Sequence, residues 1–380
     1  MSESKRMKVM TIVGTRPEII KLSRVIHELD RYTDHVLVHS GQNFDYELNE
    51  IFFRELEIRR PDHFLEAAGA TAAETIGNVI ARADRVIEAE KPDALLLLGD
   101  TNSCISVLAA KRRRVPVFHM EAGNRSFDER VPEEINRRVV DHLSDINLTY
   151  TEHARRYLLR EGIRPETVIK TGSPMREVLT HYGPQVDASD VLARLELEAE
   201  RFIVVSAHRE ENVDSEKNFR GLIATLNALA ERWGFPVIVS VHPRTRQRMD
   251  AAGELDLHPG VRLMKPLGFF DYVHLQKRAF CVVSDSGTIT EESSLLGFPA
   301  VTIREAHERP EGMDVGTLVM CGLDPGDVLR AVEVVTDQSR ERGRLPATVP
   351  DYETETVSLK VLRIILSYTR YVNRTVWHAV

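Results

Sequence analysis

The sequence predicts an α/β protein built from two Rossmann-like, doubly wound domains, and three observations carry that expectation. Apolar runs rich in Val, Ile and Leu alternate with amphipathic segments, the pattern of parallel strands joined by crossover helices. The runs fall into two series, parted by a stretch punctuated with Gly172, Pro174, Gly183 and Pro184. The 380 residues exceed what one hydrophobic core usually organises.

The first series comprises strands at Met7–Val13, His35–His39, Ala94–Leu98, Val115–His119 and Asp145–Tyr150. The second comprises Phe202–Ser206, Val237–Val241, Val261–Met264, Phe280–Ser284 and Ala300–Ile303. Domains are therefore expected at 1–172 and 173–352, with the amphipathic stretch in 353–380 packing back on the first. Two such sheets facing across a cleft would bind ligands at the carboxyl ends of their strands.

A hydrophobic fraction of 42% and a charged fraction of 28% exclude a disordered or fibrous chain. The net charge of -8 gives no general attraction to nucleic acid or an anionic membrane, and leaves room for a local basic pocket that takes phosphate. The start, MSESKRMKVMTIVG, has too short an apolar run for a signal sequence, and no stretch reaches the ~20 apolar residues that span a bilayer. A cytoplasmic location is expected. Cys104, Cys281 and Cys321 are odd in number and widely spaced, so they read as small hydrophobes rather than disulfides or a zinc site. The basic run Lys111–Arg114 reads as the solvated end of the helix after Asp100, with an anion site as the alternative.

Gly14-Thr15-Arg16-Pro17-Glu18 follows the first strand and opens a helix over Ile19–Tyr32, with Thr15 as cap and Pro17 in the first turn. Free helix amides and Arg16 together suit a phosphate; a well-capped helix with a surface arginine is the alternative. Ser284-Asp285-Ser286-Gly287-Thr288 is a second turn of that design, where Ser286, Gly287 and Thr288 present amides and hydroxyls to a diphosphate and Glu292 can accept from ribose hydroxyls. A capping box is the alternative there. Neither turn carries G-x-G-x-x-G or a P-loop pattern, so NAD chemistry and P-loop phosphoryl transfer lose their support.

The strand Ala94–Leu98 ends in Gly99-Asp100-Thr101 and the next in His119-Met120-Glu121, so adjacent parallel strands bring Asp100 and Glu121 to one sheet edge. Asp100 alone could instead cap a helix. Pro132-Glu133-Glu134-Ile135-Asn136-Arg137-Arg138 reads as a helix start with Glu–Arg pairs four apart. His208 and Arg209 close the first strand of the second series, and His242 and Arg244 close the next, each suited to an anion or to a structural role.

Taken in order, GTRPEIIKL, SGQNFD, LGDTNS, HMEAGNR, PEEINR, TGSP, SAHREEN, VHPRTR, SDSGTITEES and REAHERPEG closely resemble the non-hydrolysing UDP-N-acetylglucosamine 2-epimerase family, over some four-fifths of the chain. The resemblance implies a GT-B type fold and a homodimer, with UDP retained as part of the substrate and neither NAD nor a metal. It implies that Arg16, His208, Ser286, Gly287, Thr288 and Glu292 contact UDP, while Asp100, Glu121, Glu133 and His208 surround the sugar. Lys21, Gln42, His242 and Arg309 are weaker carry-overs. It also implies a route: UDP leaves as the proton on the acetamido-bearing carbon is removed, then a proton returns on the opposite face of 2-acetamidoglucal and UDP re-adds. Where the family often has Ser-Gly-Gly, this chain has Ser286-Gly287-Thr288, a tighter loop. Gly41-Gln42-Asn43 departs from the Gln-His form associated with activation by substrate. The short stretch from Arg125 to Glu133 resembles the branch that makes 6-deoxy-aminosugars for surface polysaccharides. A hydrolysing epimerase, a GT-B glycosyltransferase and a silent nucleotide-sugar sensor are the rival readings.

Overall fold

The computed structural model describes residues 6–42, 46–207, 209, 212, 215–241, 243–251, 255–306, 308–342 and 348–379. The chain forms two compact units, Met1–His181 with Asp351–Val380, and Tyr182–Pro350.

In the first unit the strands β1 (Lys8–Val13), β2 (Asp34–His39), β3 (His63–Phe64), β4 (Ala94–Leu98), β5 (Val117–Met120), β6 (Ile146–Thr149) and β7 (Val168–Lys170) form a sheet in the order β3-β2-β1-β4-β5-β6-β7. The second unit arranges β8 (Ile203–Ser206), β9 (Val237–Ser240), β10 (Val261–Met264), β11 (Cys281–Ser284), β12 (Ala300–Thr302) and β13 (Val319–Met320) as β10-β9-β8-β11-β12-β13. All the pairings in both sheets are parallel. Each order reverses once, between β1 and β4 and between β8 and β11, so each sheet is doubly wound with one switch point.

Burial on both faces explains the near-continuous apolar runs: all five residues of β4 are buried. In β8, Ile203 and Val205 enter one apolar cluster while Val204 enters the other, so successive side chains feed two layers. The ten strands expected from the sequence are present, with ends moved by at most two residues. β3, β7 and β13 were not foreseen. Each is an edge strand of two or three residues, too short to show a period of its own.

The crossings between units lie after His181 and after Pro350, where the sequence reading placed joins at 172/173 and 352/353. The helix Met175–His181 packs against the helix Arg16–Tyr32, which keeps those residues with the first unit. The last helix, Val357–Thr375, lies on the same Arg16–Tyr32 helix and buries Val357, Val361, Ile365 and Val372 along one stripe. No cysteine is in a disulfide; Cys104 and Cys281 are buried and Cys321 is partly so. In the Lys111–Arg114 run, Lys111 pairs with Asp145 at 2.5 Å and Arg113 with both Asp84 oxygens at 2.5 and 2.7 Å, which ties the run to neighbouring acids. Among the described residues no helix is long and apolar enough to cross a membrane.

Gly172 is where the returning chain meets the first sheet. Its φ is +87°, and an added Cβ would stand 2.5 Å from Thr354 Oγ1 and 3.1 Å from the Asp351 carbonyl oxygen. Gly172→Ala should therefore lower stability by about 2 kcal/mol or more, through left-handed strain and a clash with the Thr354 side chain together. Urea unfolding of the variant beside the parent checks this, and equal midpoints would show that the return segment moves aside freely.

Candidate active site

The acidic edge of the first unit begins with the β4–β5 register. Leu98 stands opposite Met120, and the Gly99 amide donates to the Met120 carbonyl at 3.0 Å, so the Asp100 and Glu121 turns leave the sheet side by side. Gly99, at φ +79°, makes the tight exit from β4. Arg137 Nε and Nη2 both reach Asp100 Oδ2, at 3.1 and 2.6 Å, and Asn136 Nδ2 donates to the Asp100 carbonyl at 2.9 Å. Glu121 holds φ at +62°, a left-handed value that costs a non-glycine residue about 1 kcal/mol or more. Its carboxylate receives Lys21 Nζ at 2.6 Å, and that ammonium also lies 5.5 Å from the Tyr150 ring centroid. Each carboxylate thus has a cation supplied by a different helix.

The helix Pro132–Leu143 corrects the expected ion pairing. Glu134 and Arg138 pair four apart, but Arg137 turns to Asp100 and Glu134 instead of Glu133. Glu134 is buried; although burial pushes its carboxyl up, hydrogen bonds from Ser126 and the Arg137 charge hold it below the usual range. Glu133 is half-buried, and its carboxylate has no hydrogen-bond or ion-pair partner among the described residues.

Behind both turns lies a buried charged cluster the sequence did not reveal. His119 Nδ1 lies 2.9 Å from Asp141 Oδ1, and Nε2 lies 2.7 Å from the Gly99 carbonyl oxygen. A carbonyl only accepts, so Nε2 donates to it, and Asp141 also accepts from the Gly123 amide at 3.1 Å and Arg125 Nη1 at 2.6 Å. Burial pushes the Asp141 carboxyl up, but the His119 and Arg125 partners prevail and hold it low. Arg125 continues to Glu161 through Nε and Nη2 at 2.8 and 2.6 Å.

The first βα turn differs from expectation in its chemistry. The helix begins at Arg16, and the Thr15 side chain does not cap it. Thr15 Oγ1 instead donates to Glu18 Oε2 at 2.8 Å, which also accepts from the Gly14 amide at 3.0 Å. Glu18 Oε1 accepts from Ser103 Oγ at 2.5 Å. This carboxyl is 1% exposed, and burial pushes its pKa up to about 7 against the pull of those bonds. The spacing Thr15-x-x-Glu18 is that of a capping box, the one sequence signal that could have found it. Arg16 is half-buried, its guanidinium 5.9 Å from the Phe52 ring centroid. Gln42 is half-buried beside Gly14, and its Oε1 is buried with no partner among the described residues.

In the second unit β8 and β11 pair with Ser206 opposite Ser284, which sets their following turns together. Asp285, fully buried, accepts from the Arg209 amide at 2.9 Å and Asn212 Nδ2 at 3.1 Å, and its carbonyl accepts from Arg209 Nε at 3.1 Å. Ser286 and Thr288 share a hydroxyl contact at 3.0 Å. The helix Ile289–Leu296 follows without a side-chain cap from Thr288, so the capping-box alternative does not form. Gly287 is closely approached, for an added Cβ would stand 2.6 Å from Glu308 Oε1. Beside this turn a small cavity is lined by Ser286, Gly287, Thr302, Arg304 and Arg309. Arg304 and Arg309 are buried and pair with Glu308 at 2.7 Å and Glu291 at 3.1 Å. Glu292 is buried and accepts from Gln276 Nε2 at 2.6 Å. His208 and His242 lie outside the described residues.

Two paired carboxylates on one sheet edge suit proton transfer to and from carbon. Hydroxyls, a glycine and buried arginines on the other sheet suit a phosphate group. Among the described residues no group of three or more His, Cys, Asp or Glu is placed to hold a metal ion.

Comparison with known proteins bears on this arrangement. The family model described as UDP-N-acetylglucosamine 2-epimerase matches residues 27–366. The structure of UDP-N-acetylglucosamine 2-epimerase from Rickettsia bellii is 51% identical, with a TM-score of 0.89, covering 98% of this chain and 100% of that one. The Methanocaldococcus jannaschii UDP-GlcNAc 2-epimerase, solved in complex with UDP-GlcNAc and UDP, is 30% identical with a TM-score of 0.89, covering 95% of this chain and 100% of that one. The UDP-2,3-diacetamido-2,3-dideoxy-D-glucuronate 2-epimerase of Pseudomonas aeruginosa is 34% identical over 83% of this chain and 88% of its own length. With a doubly wound sheet in each unit, the expected motifs at the strand ends and matches that run through both units, the chain belongs to the UDP-N-acetylglucosamine 2-epimerase family.

Proposed function

We propose that the chain interconverts UDP-N-acetylglucosamine and UDP-N-acetylmannosamine by eliminating UDP and adding it back through 2-acetamidoglucal. The observation that carries this reading is the pair Asp100 and Glu121, on neighbouring turns, each oriented by its own cation. The hydrogen on the acetamido-bearing carbon has no adjacent carbonyl, so simple deprotonation is too difficult. One carboxylate takes that hydrogen as a proton while the bond from the anomeric carbon to the diphosphate oxygen breaks, its electrons leaving with UDP. A double bond forms between the two ring carbons. A proton delivered to the opposite face of the acetamido carbon and return of the diphosphate oxygen to the anomeric carbon complete the inversion, with no net gain or loss of electrons.

In this proposal Asp100 and Glu121 move protons and Glu133 orients the sugar. Arg16, Ser286, Gly287, Thr288 and His208 hold the diphosphate, with Lys21 and Arg309 supporting Glu121 and the phosphate turn. Glu292 takes the ribose, and Gln42 and His242 are peripheral. No nicotinamide takes part, since the turn after β1 is Gly14-Thr15-Arg16-Pro17 rather than a dinucleotide fingerprint. The family resemblance extends the proposal to a cytoplasmic homodimer. A second substrate, a UDP-2-acetamido-2,6-dideoxyhexose, is favoured by the short stretch from Arg125 to Glu133, and the Pseudomonas relative shows that differently substituted acetamido sugars occur among similar proteins.

Proton NMR of the products formed from UDP-N-acetylglucosamine tests the reading: intact UDP-N-acetylmannosamine is expected. Free UDP with N-acetylmannosamine would assign a hydrolysing epimerase, and turnover of the 6-deoxy sugar alone would transfer the proposal to that substrate. Asp100→Asn and Glu121→Gln should each slow turnover by ~100- to 10,000-fold while UDP still binds. Near-normal rates would remove these residues from the chemistry.

Arg16→Ala and Ser286→Ala should each weaken UDP binding about 10-fold, the loss of one charge-assisted or hydroxyl contact, with melting unchanged. Calorimetric titration reads this. Parental affinity in both variants would return the two turns to a purely structural role.

A further inference from the structure

We propose that Glu18 is a positioning residue for the epimerisation: through Ser103 and Thr101 it sets the direction of the hydroxyl hydrogen bonds in the turn that carries Asp100. The inference rests on the epimerase reading, in which Asp100 moves a proton. Glu18 sits where the switch point of the first sheet is tied together. One carboxyl oxygen accepts from the Gly14 amide and the Thr15 hydroxyl, both in the turn that carries Arg16. The other meets Ser103 Oγ at 2.5 Å, and Ser103 Oγ meets Thr101 Oγ1 at 2.7 Å. Glu18 and Ser103 are buried, whereas Thr101, next to Asp100, is half-buried at the sheet edge. A glutamate that merely capped its helix would bond its own first turn and stop there. This one gives half its bonding to a turn 85 residues further along the chain.

The hydroxyl chain has two directions. With Glu18 ionised, Ser103 donates to the carboxylate, Thr101 donates to Ser103, and the Thr101 lone pairs face outward. With Glu18 neutral, the carboxyl O–H donates to Ser103, Ser103 donates to Thr101, and the Thr101 hydrogen is turned away from Ser103. One proton at the buried end thus reverses the hydroxyl of the residue that follows Asp100 in the same turn. Burial places the exchange near pH 7. The titratable and charged groups on the surrounding elements are few. Cys104 is held as a thiol by burial and by Glu18 and Asp100. His39, at the end of β2, is held neutral by burial, its pKa lowered to about 4. Arg16 and Lys21 stand on the helix of Glu18, with Lys21 on Glu121, and Asp100 is paired with Arg137.

The test compares the full-length parent with Glu18→Gln, whose amide fixes the neutral-state direction, and Ser103→Ala, which cuts the chain and leaves Glu18 in place. The parent should show a limb in kcat near pH 7 that both variants lack. Above that limb kcat of the variants should fall about 5-fold, the effect of one redirected hydrogen bond, with UDP affinity within about 3-fold of parental. Thermal melts without substrate give a readout independent of the reaction. A carboxyl raised in the folded state from 4.5 to about 7 contributes stability that is full below pH 4.5 and lost as pH rises to 7. The stability of the parent relative to Glu18→Gln should therefore decline across that window. Parental turnover in the same assay reports on the epimerase reading by itself. A parent that turns over while both variants reproduce its pH profile and rate overturns the role of Glu18 alone; should Glu18→Gln not fold, Ser103→Ala reads the same limb.

Discussion

The buried pairing of His119 with Asp141 fixes the rest of the acidic site, because it ties the paired strands β4 and β5 to a helix that no backbone ladder connects to them. The imidazole stands on β5, reaches the Gly99 carbonyl at the end of β4, and meets Asp141 on the helix Pro132–Leu143. Asp141 in turn holds the Gly123 amide and Arg125. Removing one member would leave buried charge without its partner, a loss of about 3–5 kcal/mol, so the cluster stays whole or the edge collapses. Whole, it fixes the Asp100 turn against the Glu121 turn, and the same helix supplies Arg137 to Asp100. The left-handed Glu121 backbone persists because the neighbouring Gly123 and Arg125 are held in place.

The two units use one plan for different chemistry. Each has a switch point whose two turns are tied by a buried carboxylate: Glu18 in the first unit, between the turns after β1 and β4, and Asp285 in the second, between those after β8 and β11. In the first, the side chains beside the tie are carboxylates with cation partners, suited to moving protons. In the second they are hydroxyls, a glycine and buried arginines, suited to phosphate oxygens. This division matches a reaction that needs a proton moved at carbon and a diphosphate that leaves and returns.

Much of the fold was legible because buried parallel strands write themselves as unbroken apolar runs, as in β4. The edge strands β3, β7 and β13 were not, since two or three residues against a single neighbour need no apolar run. Asp100 and Glu121 were visible because adjacent parallel strands end together. The groups that orient them were not. Arg137 reads in sequence as the four-apart partner of Glu133, and only the tertiary position of Asp100 turns it away. Glu18 reads as an ordinary capping-box acid until Ser103, brought up by β4, buries it. His119 and Arg125 bound the stretch HMEAGNR, but Asp141 stands 22 and 16 residues from them on a helix, and nothing in the spacing marks the three as one cluster.

The central claim is that a proton leaves the acetamido-bearing carbon to an enzyme carboxylate and another returns from the opposite side. Both carboxylates exchange with water between turnovers, so the most direct measurement is the hydrogen content of that carbon in product formed in heavy water. The account predicts deuterium there in the epimerised product, read by NMR and mass. Product that keeps its original hydrogen would contradict it, because a route through a redox cofactor can return the same hydrogen, whereas elimination and re-addition of UDP through these carboxylates cannot.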